Sequence, residues 1–258
     1  VKPVAGFLER LERLESHWRN APPARAWQLV SVGGGPSSLE VLLALQHRFA
    51  TPVHGAPATH VHAHLLYPGN TPLPGYPLRV QRRVRALLAE RGVHLHEGFR
   101  VAQVEAAHLL AADGRTLPYD QLIWATSAGA PDWAAQAGLA TDAAGFIRVD
   151  PYLRSLSHPT IFASGDLAAL PGPPHPKSGV LAVRQGPILF HNLRGACLGQ
   201  PLRAYQAQAR MLSLISTGHR HALATRGDWL LEGGWVWRWK DWIDRRFMAQ
   251  FAKGERPH

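Results

Sequence analysis

The chain has 258 residues, enough for one large domain or two small ones, and its 46% apolar and 18% charged residues suit a folded globular protein rather than a disordered or fibrous one. Lysine and arginine total 28 against 18 acids, a formal charge of +10 that favours anionic partners without choosing among phosphates, nucleic acid and acidic lipid. The single cysteine, Cys197, excludes an internal disulfide framework, a thiolate zinc site and an internal dithiol.

Phe7, Leu8, Leu11, Leu14 and Trp18 recur at helical spacing, predicting an amphipathic helix over residues 4–19 that Ala21-Pro22-Pro23 ends. Trp27 to Val32 reads as a strand running into Gly33-Gly34-Gly35-Pro36-Ser37-Ser38, and Leu39, Val41, Leu42 and Leu45 then mark a helix. A second strand from His60 to Leu66, a Pro/Gly loop, a basic helix with Val80, Val84, Leu87 and Leu88 inward, and a third strand from Val93 to His96 complete a βαβαβ unit. Val101 to Leu110, the Asp113-Gly114 turn and Tyr119 to Thr126 predict an antiparallel meander. A strand from Thr160 to Asp166, a Pro-rich loop at 171–176 and an apolar helix from about Gly179 to Leu198 follow, with Cys197 as a packing residue of that helix.

The tail concentrates tryptophan at 229, 235, 237, 239 and 242. On a helical wheel Trp235, Val236, Trp239, Trp242, Ile243 and Phe247 share one face, opposite Arg238, Asp241, Asp244 and Arg245. Two readings stay open: an in-plane membrane anchor, or a helix docked on the protein's own flavin domain or on a second copy. No run approaches the roughly 18 uninterrupted apolar residues of a spanning helix, and the N-terminus is no signal peptide, so the expected location is cytoplasmic, with a peripheral position on the inner membrane face as a candidate. The first methionine is Met211, which predicts further sequence upstream of Val1.

The glycine turn has the residue types a dinucleotide needs: Gly33 for the sharp turn, Gly35 for close approach of a pyrophosphate to the following helix, and the small Ser38 at the third position. The carboxylate that should bind a ribose at the end of the second strand is missing. Tyr67 stands there, and no acid occurs between Glu40 and Glu90. Arg79, Arg82 and Arg83 either receive a 2′-phosphate or form a solvated helix face. His60, His62 and His64, with His94 and His96 on the neighbouring strand, are read as surface or hydrogen-bonded histidines in preference to a metal site, since no acid or cysteine completes one. No nucleic-acid motif appears and the basic residues are scattered, so no nucleic-acid partner is expected.

The set Val32-Gly33-Gly34-Gly35-x-x-Ser38-x-Glu40, Ile123-Trp124-Ala125-Thr126-Ser127-Ala128, Gly145-Phe146-Ile147-x-Val149-Asp150, Ile161-Phe162-Ala163-Ser164-Gly165-Asp166 and Pro176-Lys177-Ser178-Gly179-Val180-x-Ala182-Val183-Arg184-Gln185-Gly186 resembles, in order and spacing, the pyridine nucleotide-disulfide oxidoreductase superfamily. Within it the chain is most similar to type II NADH dehydrogenase-like FAD proteins, including the module fused to selenide, water dikinase. The resemblance implies an α/β two-dinucleotide-binding-domain flavoprotein: a parallel Rossmann-like sheet with a three-stranded antiparallel meander, plus a partial FAD domain. It implies residues 1–25 as a linker helix, 26–128 as the NAD(P)-binding domain, 129–218 as the returning part of the FAD domain and 219–258 as a Trp-rich helical extension.

The same resemblance implies FAD and NAD(P)H as cofactors, with Gly33, Gly34, Gly35, Pro36, Ser37, Ser38, Thr126, Ser127 and Ala128 around the dinucleotide and Glu40 toward the nicotinamide. Gly165 and Asp166 would meet the FAD ribityl chain, an amide near Gly179 or Val180 the flavin pyrimidine edge, and Gln185 would lie on the helix approaching the isoalloxazine and the quinone entrance. Ser127 replaces the family's glycine. The first FAD-binding unit of the family has no counterpart before Trp27, so an exposed apolar surface and self-association are expected. The implied function is hydride transfer from NAD(P)H to FAD and onward to a quinone or other small acceptor. The alternatives are a non-catalytic nucleotide-binding or interaction module and a reductase linked to selenium metabolism.

Overall fold

The computed structural model describes residues 4–19, 26–50, 60–126, 129–172, 175, 177–208 and 211–252, and divides into two units, Val1–Thr126 with Arg210–His258, and Ser127–Ala209. The first unit opens with α1 (Val4–Arg19). Its apolar stripe needs a partner and finds one: Trp18 meets Phe49 with ring centroids 5.3 Å apart, and Glu15 pairs with Arg48 at 3.0 Å. The segment read as a linker helix is thus docked on its own domain.

β1 (Trp27–Val32), α2 (Pro36–Ala50), β2 (Val61–Leu66), α3 (Leu78–Glu90) and β3 (His94–His96) follow, then the meander β4 (Val101–Val104), β5 (His108–Ala111) and β6 (Thr116–Pro118), and finally β7 (Gln121–Trp124). The main sheet runs β3-β2-β1-β7 with parallel pairings. On one face Leu29, Ala63, Leu65 and Ile123 pack against Leu39, Leu42 and Phe49 of α2 and Val84 and Leu88 of α3. On the other face the meander replaces a helix, with Phe99, Leu109 and Ala111 covering Val30, Val32 and Leu66. The stretch from Tyr119 to Thr126 was expected in the meander, but Gln121–Trp124 pairs parallel with β1 and only Thr116–Pro118 completes the antiparallel sheet. Asp120 makes this switch, its Oδ2 accepting from the Gln28 amide at 2.9 Å and its own amide donating to Gln28 O at 3.0 Å.

The second unit contains α4 (Trp133–Gln136), β8 (Ile147–Arg148), a 3₁₀ turn at Gly165–Leu167, β9 (Ala168–Ala169) and α5 (Gly179–Leu198). Serine 178 caps α5, its Oγ accepting from the Leu181 amide, and Gly199 in the left-handed region (φ 65°) ends it. The expected strand from Thr160 to Asp166 is not regular. Ile161 O accepts from the Ser155 amide while its own amide turns back to His158 O, and the Ala163 amide donates to Leu153 O before the chain enters the 3₁₀ turn; among the described residues no second strand lies alongside to extend the ladder.

The chain then returns to the first unit as β10 (Ser213–Ser216), β11 (Ala222–Arg226), β12 (Trp229–Gly233) and α6 (Gly234–Ala252). This corrects the boundary at 218 and the helical reading of the tail before residue 234, while Gly234–Ala252 is helical as expected. His219 and Arg220 in the left-handed region and Gly227 at φ 59° make two tight turns, which give an antiparallel sheet in the order β10-β11-β12. Small Ala222 and Ala224 then let Val236 of α6 pack to complete burial.

Candidate functional site

The glycine turn lies in the first unit, between β1 and α2. Gly33 has φ 134°, and a Cβ there would sit 2.4 Å from Ala125 O, so the turn can pass the end of β7 only as glycine. Gly34 is held from below by Tyr67 and by the Leu73 amide, which donates to Gly34 O at 2.7 Å. Gly35 is different: a Cβ there would meet nothing within 4 Å. The amides of Gly35 and Ser37 have no acceptor among the described residues. Open backbone, free donors and the positive end of α2 fit a dinucleotide pyrophosphate. Pro36, the first residue of α2, lacks a donor that the helix would leave unused. Ser38 is fully buried and shares a 2.8 Å hydrogen bond with Ser31 Oγ, so the third position serves close helix–strand packing, with serine satisfied where glycine would do.

Thr126 is exposed just beyond β7, while Ser127 and Ala128 lie outside the described residues. Glu40, read as facing the nicotinamide, has its Oε1 engaged by the Ser216 amide at 2.8 Å and Lys240 Nζ at 3.9 Å. Burial pushes its carboxyl up from the usual range, the Ser216 bond and Lys240 opposing that shift. Tyr76 bonds to Ser213 Oγ at 2.9 Å, so the returning segment is tied to α2 through Glu40 and to the loop before α3 through Tyr76.

In the second unit a cavity of about 490 Å³ is lined by Arg148, Asp150, Gly165, Lys177, Leu181 and Gln185 among others. Gly165 needs its left-handed φ of 63°, and a Cβ there would press on Ala182 at 3.3 Å. Gln185 is 2% exposed, and its Oε1 accepts from the Gly165 amide at 2.5 Å. It therefore shapes the turn that carries Asp166, which is half-buried. Lys177 donates to Ala168 O at 2.6 Å and lies 3.9 Å over the Phe146 ring; burial lowers its pKa, with Asp142 and Asp166 acting against that. Gly179 and Val180 are exposed on the first turn of α5. A mixed-polarity cavity beside a glycine turn and a capped helix start fits part of a flavin nucleotide. Farther along α5, Val183 and Phe190 are exposed at 47% and 69%. Cys197, expected to pack, is exposed as well.

The family described as pyridine nucleotide-disulphide oxidoreductase matches residues 4–186. The chain belongs to this family. The type II NADH:quinone oxidoreductase of Mycobacterium tuberculosis is 26% identical over 186 residues, covering 66% of this chain and 40% of that protein. An NADH dehydrogenase-like protein of the same organism is 31% identical over 86 residues, covering 33% and 22%. Among solved structures, the sulfide:quinone oxidoreductase of Aquifex aeolicus superposes with a TM-score of 0.73 at 18% identity, over 94% of this chain and 61% of that one. An FAD-dependent pyridine nucleotide-disulphide oxidoreductase of Desulfovibrio vulgaris gives 0.60 at 24% identity, over 84% and 53%. The likeness to these structures is one of fold. The chain spans about a fifth to two fifths of the length of these curated relatives.

Two other clusters complete the account. α6 is docked on the β10–β12 sheet of the first unit, not on a flavin domain, and this splits the face expected from the wheel. Val236 is buried and Trp239, Ile243 and Phe247 are half-buried, whereas Trp235 (49%) and Trp242 (56%) are exposed alongside Arg238, Arg245 and Arg246. No helix among the described residues is long and apolar enough to cross a membrane. His64 of β2 and His96 of β3 are hydrogen-bonded: His64 Nε2 donates to Gln28 Oε1 at 2.8 Å, leaving Nδ1 to accept from His96 Nε2 at 3.0 Å, and the His94 ring stacks on His64. Among the described residues no group of three or more histidine, cysteine or acidic side chains is arranged to hold a metal.

Proposed function

We propose that this chain forms the nucleotide-binding unit and part of the flavin-binding unit of an FAD-dependent NAD(P)H oxidoreductase that delivers electrons to a quinone or another small acceptor. The observation that carries this reading is the open Gly35 with its unclaimed neighbouring amides at the start of α2, inside a chain that belongs to an oxidoreductase family. A flavin held by these residues would supply the redox chemistry, hydride acceptance and onward electron transfer. The chain's residues bind and orient. Gly35 and Ser37 present donors to the pyrophosphate, Gly33 keeps β7 and the turn in contact, and Gln185 holds Gly165 so that Asp166 can accept a ribityl hydroxyl. Hydride transfer needs alignment and no side-chain nucleophile, in keeping with a single, exposed cysteine.

The outward Trp235 and Trp242 with Arg238, Arg245 and Arg246 support contact with an anionic membrane surface, where a quinone would be met. Flavin absorbance of the purified chain, recorded before and after adding FAD and then NADH without oxygen, tests the main reading. Retained yellow flavin that bleaches on NADH is the expected result. A protein that never retains FAD would restrict the flavin chemistry to a longer polypeptide.

A further inference from the structure

A dinucleotide laid across the glycine turn places its adenosine ribose over the carboxyl end of the second strand, where a carboxylate ordinarily receives the 2′-hydroxyl. Here that place belongs to Tyr67. The Gly33 amide donates to Leu66 O at 2.8 Å, so Tyr67 follows directly beside the turn, but it is 1% exposed and its ring packs under Gly34. It is a floor and cannot replace the acid.

The pairing of β2 with β3 continues past both strands. Tyr67 N donates to His96 O at 3.3 Å, Phe99 N to Tyr67 O at 3.0 Å and Gly98 N to Gly69 O at 2.8 Å. This ladder carries Glu97 to the same carboxyl edge, next to Tyr67. The Tyr67 hydroxyl is buried without a hydrogen-bond partner among the described residues, and burial first, then the Glu97 charge, raises its pKa. The Glu97 side chain is 36% exposed and ion-paired with Arg85, whose guanidinium also reaches toward Asn70 O at 3.5 Å.

We propose that Glu97, supplied by the strand after β2, takes the part of the missing strand-end carboxylate and makes the nucleotide unit select the free ribose of NADH over the 2′-phosphate of NADPH. The proposal rests on the nucleotide-binding reading of the glycine turn. Arg85 fixes the carboxylate in place by the ion pair, and the half-exposed carboxylate would accept from ribose hydroxyls. A 2′-phosphate would meet that carboxylate at close range. Three arginines around this edge and on α3 are already committed: Arg85 to Glu97, Arg115 to Asp113 at 2.7 Å and to the carbonyls of Glu97 and Gly98 at 3.2 and 3.0 Å, and Arg83 to Glu90 at 2.8 Å and Glu232 at 2.7 Å.

Calorimetric titration of the purified chain with NADH and with NADPH tests this without any flavin readout, using the unaltered protein, Glu97→Gln and Glu97→Ala, each checked by thermal melting. The unaltered chain should bind NADH roughly tenfold or more tighter. Glu97→Gln should weaken NADH and strengthen NADPH, moving the two affinities in opposite directions, which a general loss of structure would not do. Equal binding, tighter NADPH, or a parallel weakening of both by the two variants would overturn the selectivity and leave the nucleotide site standing. Failure of the unaltered chain to bind either dinucleotide would overturn both the selectivity and the nucleotide-binding reading.

Discussion

The two units are held together by different means. In the first, a four-stranded parallel sheet in continuous register is covered by α2 and α3 on one face and the meander on the other, and burial of leucine, valine and isoleucine dominates. In the second, the sheet among the described residues has two strands of two residues each, and buried polar side chains take over. Asn192, fully buried, donates to Tyr152 O at 2.8 Å and Arg203 O at 2.9 Å and accepts from Arg203 N at 2.7 Å. Asp150 Oδ1 accepts from the amides of Tyr152 at 2.8 Å and Arg154 at 3.0 Å, and Gln185 does the same for Gly165. Where regular pairing is sparse, side chains satisfy the buried backbone instead, so the second unit is vulnerable at single polar residues and the first at its close backbone crossing.

The largest effect is expected at that crossing. Gly33→Ala should cost the first unit about 3 kcal/mol or more, because it combines a strained φ with a backbone clash at Ala125, and should leave the second unit untouched. Urea unfolding followed by hydrogen exchange in each unit checks this. Gly35→Ala is the control, since it adds a methyl to open space; a comparable loss there would break the distinction between the two glycines.

Asn192→Ala should destabilise the second unit by about 2–3 kcal/mol by orphaning two carbonyls and an amide, with exchange accelerating at Tyr152 and Arg203 and not in β1 or β2. Uniform acceleration across both units would show that they unfold as one.

The last effect appears only on acidification. Burial first, then His96, His94 and His62, lowers the His64 pKa to about 4, so at intermediate pH the unfolded chain binds more protons than the folded one. This contribution is complete above the ordinary histidine range and is lost as pH falls toward 4, in total about 3 kcal/mol. His64→Asn should flatten the stability of the first unit between those limits. An unchanged slope would place the acid sensitivity elsewhere.

Much was legible from the residues in order. The strand, glycine turn and helix at 27–50, the basic helix, the helix from Gly179 to Leu198 and the motif set from Val32 to Gly186 are local patterns, in which hydrophobic period, caps and glycine placement act within a few residues. What escaped depends on partners far along the chain. Gln121–Trp124 could pass for a meander strand until Asp120 was seen to grip Gln28, 92 residues away. The tail read as a helical extension because its tryptophans dominate the wheel, while the turns at Gly218–Arg220 and Gly227 that make its sheet are short and weakly marked. Ser38 looked like a departure and proved to be paired with Ser31.

The amino-acid order by itself determined the family, the α/β character and the strand–glycine turn–helix at 27–50, because these follow from motif spacing, backbone preferences and side-chain periodicity over short spans. Tertiary structure alone decided that Glu40 is held by Ser216, that Gln185 shapes the Gly165 turn, that Trp235 and Trp242 face outward while Val236 faces in, and that Glu97 lies at the carboxyl edge beside Tyr67. The physical reason is register. Which side chains meet across neighbouring strands and helices is set by hydrogen-bonded pairing between distant segments, and a one-residue shift in that pairing would bring different side chains together.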